Sequence, residues 1–412
     1  MLQLGKGLFM TRPIITFLAA LAIFATAMPT LASADAGFRK WKRDFSAYAS
    51  RKGISKSTFR RAYKGINSPD PEVLELARYQ PEFRQKLWMY FDSRVNETSV
   101  ARGQEEKKKL ARWLRLIEQK YGVSSNIVLA IWSMESTYGA AMEKPSALRN
   151  IIRSLSTLAY ADKRRRKFAR GQLIGALKIL QSGRITPAQL RGSWAGAMGH
   201  TQFIPTSYLA YGQDLDRNGK KDIWTSVPDA LATAANLLKR NGWRTGETWG
   251  YEVSAPARLR NQAGKTRTIN QWAKLGVKRV GGRKFKGGSR RSVLKFPAGK
   301  NGPAFLMMKN FYVLKRFNNS DKYALAVGHL ADQIGGAGEF IKEVPRPYPK
   351  LPLAERKELQ RKLAKMGLYK KDIDGNIGSG TRAAIKRAQI KMGLNPTGFE
   401  TPEFLTRLRN QI

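Results

Sequence analysis

From about residue 35 to 245, apolar positions recur at helical spacing and are interrupted by short turn-forming stretches. Within 104–120, Leu110, Trp113, Leu114 and Ile117 share one side of a helix. Residues 125–139 read SNIVLAIWSMESTYG; Ser124 or Ser125 can cap this helix and Gly139 can stop it. Between about 250 and 300 the chain turns Gly- and Lys/Arg-rich. Strand-like pieces such as 291–296 and turns at Gly281-Gly282 and Gly287-Gly288 predict a small β-containing lobe. Helical spacing returns over 321–334. Pro345, Pro347, Pro349 and Pro352 then exclude a helix and favour extended backbone, which predicts a semi-rigid linker over 345–352 with few contacts across it.

Residues 353–412 predict three short helices. Gly367 closes the first, Asp374-Gly375 makes a turn before the second at 381–392, and Thr401-Pro402 supplies an N-cap and first-turn proline for the third. The expected chain is mainly α: a domain over 35–344 with a small β lobe, a linker over 345–352, and a helical module over 353–412.

Composition narrows the chemistry. The 412 residues are enough for two or three domains, and 42% hydrophobic residues exclude a disordered chain. With no cysteine there are no disulfides, thiol nucleophiles, cysteine metal sites or lipidated cysteine, so the chain is not a lipoprotein. His200 and His329 are the only histidines, too few for a His-rich metal site. Carboxylates, hydroxyls and amides remain.

A balance of 75 Lys+Arg against 30 Asp+Glu gives a net charge of +45, spread along the chain. Such a surface suits an anionic partner: nucleic acid, a carboxylate-bearing polymer or an anionic membrane. Generally solvated basic faces account for it equally well. The N-terminus argues against nucleic acid. Lys6 and Arg12 precede an almost wholly apolar run over 14–28, and Ala32-Ser33-Ala34 forms an A-x-A cleavage pattern. Residues 1–34 therefore read as an export signal, with Met10 an alternative start. The run is short for a bilayer span, so no membrane anchor is expected after cleavage.

Ile127, Ile131, Glu135 and Tyr138 fall at i, i+4, i+8 and i+11, which places a carboxylate in an apolar helix face. Burial there raises its pKa and suits a general acid. A buried glutamate bonded to a neighbouring helix fits the same spacing. A second segment, Trp194-Ala195-Gly196-Ala197-Met198-Gly199-His200-Thr201-Gln202-Phe203-Ile204-Pro205, sets small residues before an amide and a breaking proline. Its glycines fit a tight helix crossing. Gln202, Ser193 and the aromatics fit the floor of a sugar cleft.

The Met134-Glu135-Ser136-Thr137-Tyr138-Gly139 segment, the Gly196-Ala197-Met198-Gly199 to Pro205 segment, and Phe317-Asn318-Asn319-Ser320 to Tyr323-Ala324 resemble, in this order, the lytic murein transglycosylases of the membrane-bound B type. The resemblance runs over about 40–342. It implies a lysozyme-like catalytic domain that cleaves the β-1,4 bond from N-acetylmuramic acid to N-acetylglucosamine in peptidoglycan. The single catalytic acid/base falls on Glu135, and no cofactor is required. Ser193, Gln202, Asn318 and Tyr323 match substrate-contacting positions, and Arg164 and Arg165 match a basic pair near the acidic stem peptide. Read without the family, 163–167 is a solvated helix face. Phe317 stands where an aromatic hydroxyl is common, and Leu237 where the family often has Tyr.

Asp214, Asp216, Asn218, Gly219, Lys220 and Asp222 fit positions 1, 3, 5, 6, 7 and 9 of an EF-hand loop. Thr225 replaces the bidentate glutamate, and Asp229 could supply that carboxylate. The readings are a structural calcium site and an Asx-rich turn without metal. Residues 353–412 resemble the common peptidoglycan-binding module through Leu359-Gln360, Leu363, Asp374-Gly375 and Thr381-Arg382-Ala383-Ala384. The expected protein is an exported enzyme, periplasmic or secreted, with glycan strands as partner and no nucleic acid. A hydrolase of the same fold and a non-catalytic wall-binding protein are the alternatives.

Overall fold

A computed structural model describes residues 31–78, 85–143 and 148–411. The proposed export signal lies almost wholly outside them. The first helices are α1 (Leu31–Arg51), α2 (Lys56–Ala62), α3 (Pro71–Arg78), α4 (Leu87–Arg94), α5 (Glu97–Lys109) and α6 (Ala111–Tyr121). The helix predicted through 104–120 is thus two. Leu110 ends α5 with its N–H on the Glu106 carbonyl, and α6 starts afresh to bury Leu114 and Ile117. Asn96 caps α5 through the Ser99 N–H, and the Ser99 side chain caps back.

At the centre lies α7 (Ser125–Ser136). Ile127 to Met134 are all buried, so the helix is enclosed on every side and not only along one face. It also ends earlier than Gly139. Thr137 and Tyr138 take left-handed φ values of 53° and 54°, and the Ser136 hydroxyl accepts from the Gly139 N–H. The two-residue strands β1 (Arg149–Asn150) and β2 (Arg191–Gly192) pair antiparallel around α8 (Ile151–Ala161) and α9 (Arg166–Gln181). Helices α10 (Pro205–Tyr211) and α11 (Val227–Arg240) follow, and α11 packs on α6 and α7.

The β lobe is as expected, but larger. Strands β3 (Gly250–Ser254), β4 (Thr266–Thr268), β5 (Lys278–Arg279), β6 (Arg291–Lys295) and β7 (Ala304–Met307) form one antiparallel sheet in the order β4-β6-β7-β3-β5. Central β7 is buried at every residue. The short α12 (Ile269–Lys274) closes the lobe with fully buried Trp272. From β7 the chain enters α13 (Lys309–Phe317) and α14 (Asp321–Ile334), and α14 packs directly on α7.

The C-terminal helices are α15 (Leu353–Lys365), α16 (Ser379–Lys391) and α17 (Pro402–Gln411), around a separate core of Leu359, Leu363, Ile385 and Leu405. Fully buried Gln360 holds the Asp374-Gly375 turn: its Oε1 accepts from the Gly375 N–H at 2.7 Å and its Nε2 donates to Asp374 at 3.0 Å. Gly375 takes a left-handed φ of 74°, which is why that turn favours glycine.

The expectation of few contacts across the linker is corrected. Asp92 on α4 accepts from Arg346 of the linker at 2.8 and 3.3 Å and lies 3.8 Å from Arg382 of α16. Glu97 accepts from buried Arg356 of α15 at 2.7 Å. Trp88 meets the rings of Tyr348 and Phe399 at 5.5 and 5.7 Å, with Arg346 and Arg382 over its face. Proline stiffness positions the strap, and side chains on both sides of it make the joint.

Candidate active site

Glu135 sits in the last turn of α7 at intermediate exposure, where the enclosed helix reaches an open face. Its Oε1 accepts from the Tyr323 hydroxyl at 2.7 Å. Burial pushes the carboxyl up to about 7, against the opposing pull of the Tyr323 bond and the Arg94 charge. Tyr323, itself buried, is pushed well above the usual phenol range by burial and then by the neighbouring carboxylate. Near neutral pH the carboxyl is therefore poised between its protonated and ionised forms while the phenol keeps its proton.

Tyr323 is presented by the first turn of α14. Ser320 caps that turn through the Tyr323 N–H, and Asp321 is fixed by Lys315 at 2.7 Å and by Lys295. The Phe317 ring stacks on Tyr323 at 6.3 Å and meets Phe203 edge-on at 5.3 Å. One aromatic wall thus joins the neighbours of three predicted residues: Gln202 beside Phe203, Asn318 beside Phe317, and Tyr323 itself. Phe317 contributes a ring face where a hydroxyl is common in the resembled family. Leu237 is buried in the core on α11.

The glycine-rich segment is a run of turns rather than a helix, so the expected helix crossing is corrected to a close crossing of two loops. A side chain at Gly199 would meet the Ile223 carbonyl at 2.3 Å, so this backbone crosses another closely. The crossing also fixes the site: the His200 N–H donates to that same Ile223 carbonyl, and the His200 carbonyl accepts from Ser136 at 2.6 Å. The Trp132 indole N–H donates to His200 Nδ1 at 3.2 Å. Gln202 holds a left-handed φ of 49°, which is strained for a non-glycine residue, and its amide donates to the Gly199 carbonyl at 2.9 Å. Ser193 closes the loop, its hydroxyl accepting from the Ala197 N–H at 3.0 Å.

Arg164 and Arg165 lie on the turn between α8 and α9. Arg164 is exposed. Arg165 pairs with Asp162 at 2.7 Å and lies 5.6 Å over the Trp194 ring, which attaches it to the loop bearing Ser193. Asp162 is occupied by that pair and Glu143 is exposed, so neither is placed as a second carboxylate for Glu135. Sequence reasoning missed Arg94, whose guanidinium donates to the Met134 carbonyl at 3.1 Å. No motif marks it. It also missed Ser136, whose role emerges only where the loop at 200 meets α7.

In the acidic loop, Asp214, Asp216 and Asp229 bring carboxylate oxygens within 4.8 Å of one another. Asp229 is buried on α11; its oxygens accept from the Leu215 N–H at 2.7 Å and the Asp222 N–H at 2.9 Å. Burial raises its carboxyl, with Asp216 adding to the rise against the pull of those N–H bonds. Asp222 lies outside the cluster and accepts from the N–H groups of Trp224 and Thr225. Asn218 accepts from the Lys220 N–H at 2.9 Å. Three carboxylates from two elements form a donor set of the kind that suits a hard cation.

Residues 37–332 match the family model described as the Transglycosylase SLT domain, and residues 353–408 match a putative peptidoglycan binding domain. The first match covers well over half the chain, so the protein belongs to the SLT transglycosylase family and carries a peptidoglycan-binding module. It is 43% identical to SltB3 from Pseudomonas aeruginosa, solved in complex with NAG-anhNAM-pentapeptide, over 90% of this chain and 99% of that one, with a TM-score of 0.71. Soluble lytic transglycosylase SltB1 from Pseudomonas aeruginosa is 25% identical over 72% of this chain and 98% of that one, with a TM-score of 0.64. Membrane-bound lytic murein transglycosylase B of Escherichia coli (strain K12) is 31% identical over 217 residues, 52% of this chain and 58% of the relative. The chain thus spans under two thirds of that curated relative. The lysozyme-like helical fold with a small sheet lobe is that of the SLT structures.

Proposed function

We propose that the protein is an exported lytic transglycosylase that cleaves the β-1,4 bond between N-acetylmuramic acid and N-acetylglucosamine in peptidoglycan. The observation that carries this reading is a single carboxyl, Glu135, held near neutrality beside a hydroxyl on an aromatic wall. Most glycosidases use two carboxylates, and substrate-assisted families are exceptions. Glu135 donates its proton to the leaving glycosidic oxygen, and the substrate's own N-acetyl group stabilises the cationic sugar carbon. The ionised Glu135, still bonded to Tyr323, then takes the proton of the muramoyl C6 hydroxyl as that oxygen attacks C1. The C1–O4 bond breaks, the C1–O6 bond forms, and no water is consumed.

Ser193, Gln202 and Asn318 are assigned to sugar contacts along the wall. Arg164 and Arg165 are assigned to the stem peptide's carboxylates. The run at 14–28 and the Ala32-Ser33-Ala34 site direct the chain to the periplasm or medium. Asp214, Asp216 and Asp229 are assigned to a structural calcium ion. Mass spectrometry of digested sacculi tests the reaction. Anhydro ends, one water lighter than reducing ends, are expected from the native protein. Glu135→Gln should lower their formation by about two to four orders of magnitude while the fold survives. Reducing ends would assign a hydrolase, and an active, folded Glu135→Gln would remove the acid assignment.

A further inference from the structure

The left-handed turn that ends α7 leaves the Met134 carbonyl short of a helical partner, because the Tyr138 N–H turns to the Trp132 carbonyl at 3.4 Å. Arg94, at the end of α4, fills the gap. A cation at a helix C-terminus also opposes the partial negative charge there. Its place is more informative than its bond: Met134 directly precedes Glu135, and the Arg94 charge acts on both Glu135 and Tyr323. The groups acting on Glu135 are Tyr323 from α14 and Arg94 from α4, while Tyr90, also on α4, acts on Tyr323.

We propose that Arg94 is a positioning residue for Glu135: it fixes the last turn of α7 through the Met134 carbonyl and holds its guanidinium charge next to the reacting carboxyl. This rests on the reading of Glu135 as the acid. Burial alone would carry the carboxyl further above neutrality, where it would be slow to release its proton and a poor base in the second half of the reaction. A nearby cation returns it toward the middle, where one group serves both halves. Arg94 is exposed, so its charge is partly screened by water and its effect is moderate. The same helix carries Trp88 and Asp92, against which the linker and module pack. The platform of the module and the mount of Arg94 are therefore one helix.

The test titrates the Glu135 carboxyl by NMR in full-length protein labelled with 13C at the glutamate carboxyl, its resonance assigned by its loss in Glu135→Gln. Arg94→Gln should raise the titration midpoint by about half a pH unit or more and move the alkaline limb of the kcat profile on soluble muropeptides the same way. Arg94→Lys, which keeps the charge and a donor, should leave both near the native position. If Arg94→Gln fails to fold, Arg94→Met keeps the stem, drops the charge and carries the same expectation. A midpoint unchanged in a folded neutral variant would reduce Arg94 to a tie between helices and overturn the proposal. The titration needs no turnover, so it judges Arg94 even if an active Glu135→Gln were to remove the acid assignment.

Discussion

Two regions of this molecule bury carboxyl groups and do opposite things with them. At the end of α7, Glu135 has a phenol as its bonded partner, and the nearby guanidinium spends its hydrogen bond on a backbone carbonyl. Where the module docks, Asp92 receives two nitrogens of Arg346 with Arg382 close behind, and Glu400 accepts from Arg382 at 2.8 Å. Glu97, exposed at the edge of the same joint, shows the direction an arginine partner gives. Burial would raise its carboxyl, but the Arg356 bond, its own backbone N–H and the charge of Lys350 together bring it below the usual range. A buried carboxyl facing a neutral donor is poised to give and take a proton and can do acid chemistry. One held by arginine becomes a joint. The partner decides the role more than the depth.

The largest expected effect breaks the joint. Arg382→Ala leaves Glu400 buried without its cation, while Asp92 keeps Arg346, and should destabilise the module by about 3 kcal/mol or more. Urea denaturation, together with proteolysis in the 345–352 strap, reads it out. Turnover of short soluble fragments should fall far less than in Glu135→Gln. If this variant abolished turnover while keeping a native melting curve, the joint would be part of the cleft and the division between the regions would fail.

The middle effect belongs to the acid. In the folded protein Glu135 titrates at about 7, against an ordinary value of 4.5. Between those values the folded chain holds a proton that the unfolded chain has lost, so stability falls as pH rises through this window and levels off above it. Glu135→Gln keeps an acceptor for the Tyr323 hydroxyl and removes the titration. The variant should gain on the native protein from pH 5 to pH 8 by about 1–2 kcal/mol, after allowing for the partial exposure of the site. A difference constant with pH would mean an unshifted carboxyl.

Much of this arrangement was legible in the chain. The helical spacing of 125–136, the turn chemistry of 281–288 and the prolines of 345–352 each act within a few residues, and local patterns report local causes. The motif segments carried Glu135 and Tyr323 because both lie in short runs with their supports, Ser136 on one side and Ser320 on the other. Arg94 was not legible: it meets Met134 forty positions away, and its own neighbourhood has no distinctive spacing. The docking of the module was hidden for the same reason. Asp92, Arg346 and Arg382 lie on three separate segments, each reading as an ordinary charged residue, and the proline run suggested separation where the fold makes contact. The break at Leu110 was missed because its apolar spacing continues smoothly while the backbone turns.

The smallest effect concerns a third kind of carboxylate site, with neither phenol nor arginine as its partner. Asp214, Asp216 and Asp229 converge while backbone N–H groups from Leu215, Asn218, Gly219 and Asp222 occupy part of their oxygens. The loop is thus already folded by its own turns. Gly219, at φ 83°, makes the sharp bend that such a cation loop requires at this position. A cation is not needed to shape it, so binding should add little beyond relief of repulsion among three like charges. Thr225 in place of a bidentate glutamate, and Asp222 turned to Trp224 and Thr225, put affinity at the weak end, with Kd about 0.1–1 mM. At about 1 mM calcium the folded state should then gain only about 0.4–1.4 kcal/mol, by preferential binding to the native chain. The melting temperature of metal-stripped protein should rise slightly with calcium and return with chelator, and Asp229→Asn should lose the response. A response that survives Asp229→Asn would place the ion elsewhere. No response in the native chain would leave the cluster as a turn whose carboxylates are held by backbone N–H groups and the Ser226 hydroxyl, a third way for this protein to bury acid.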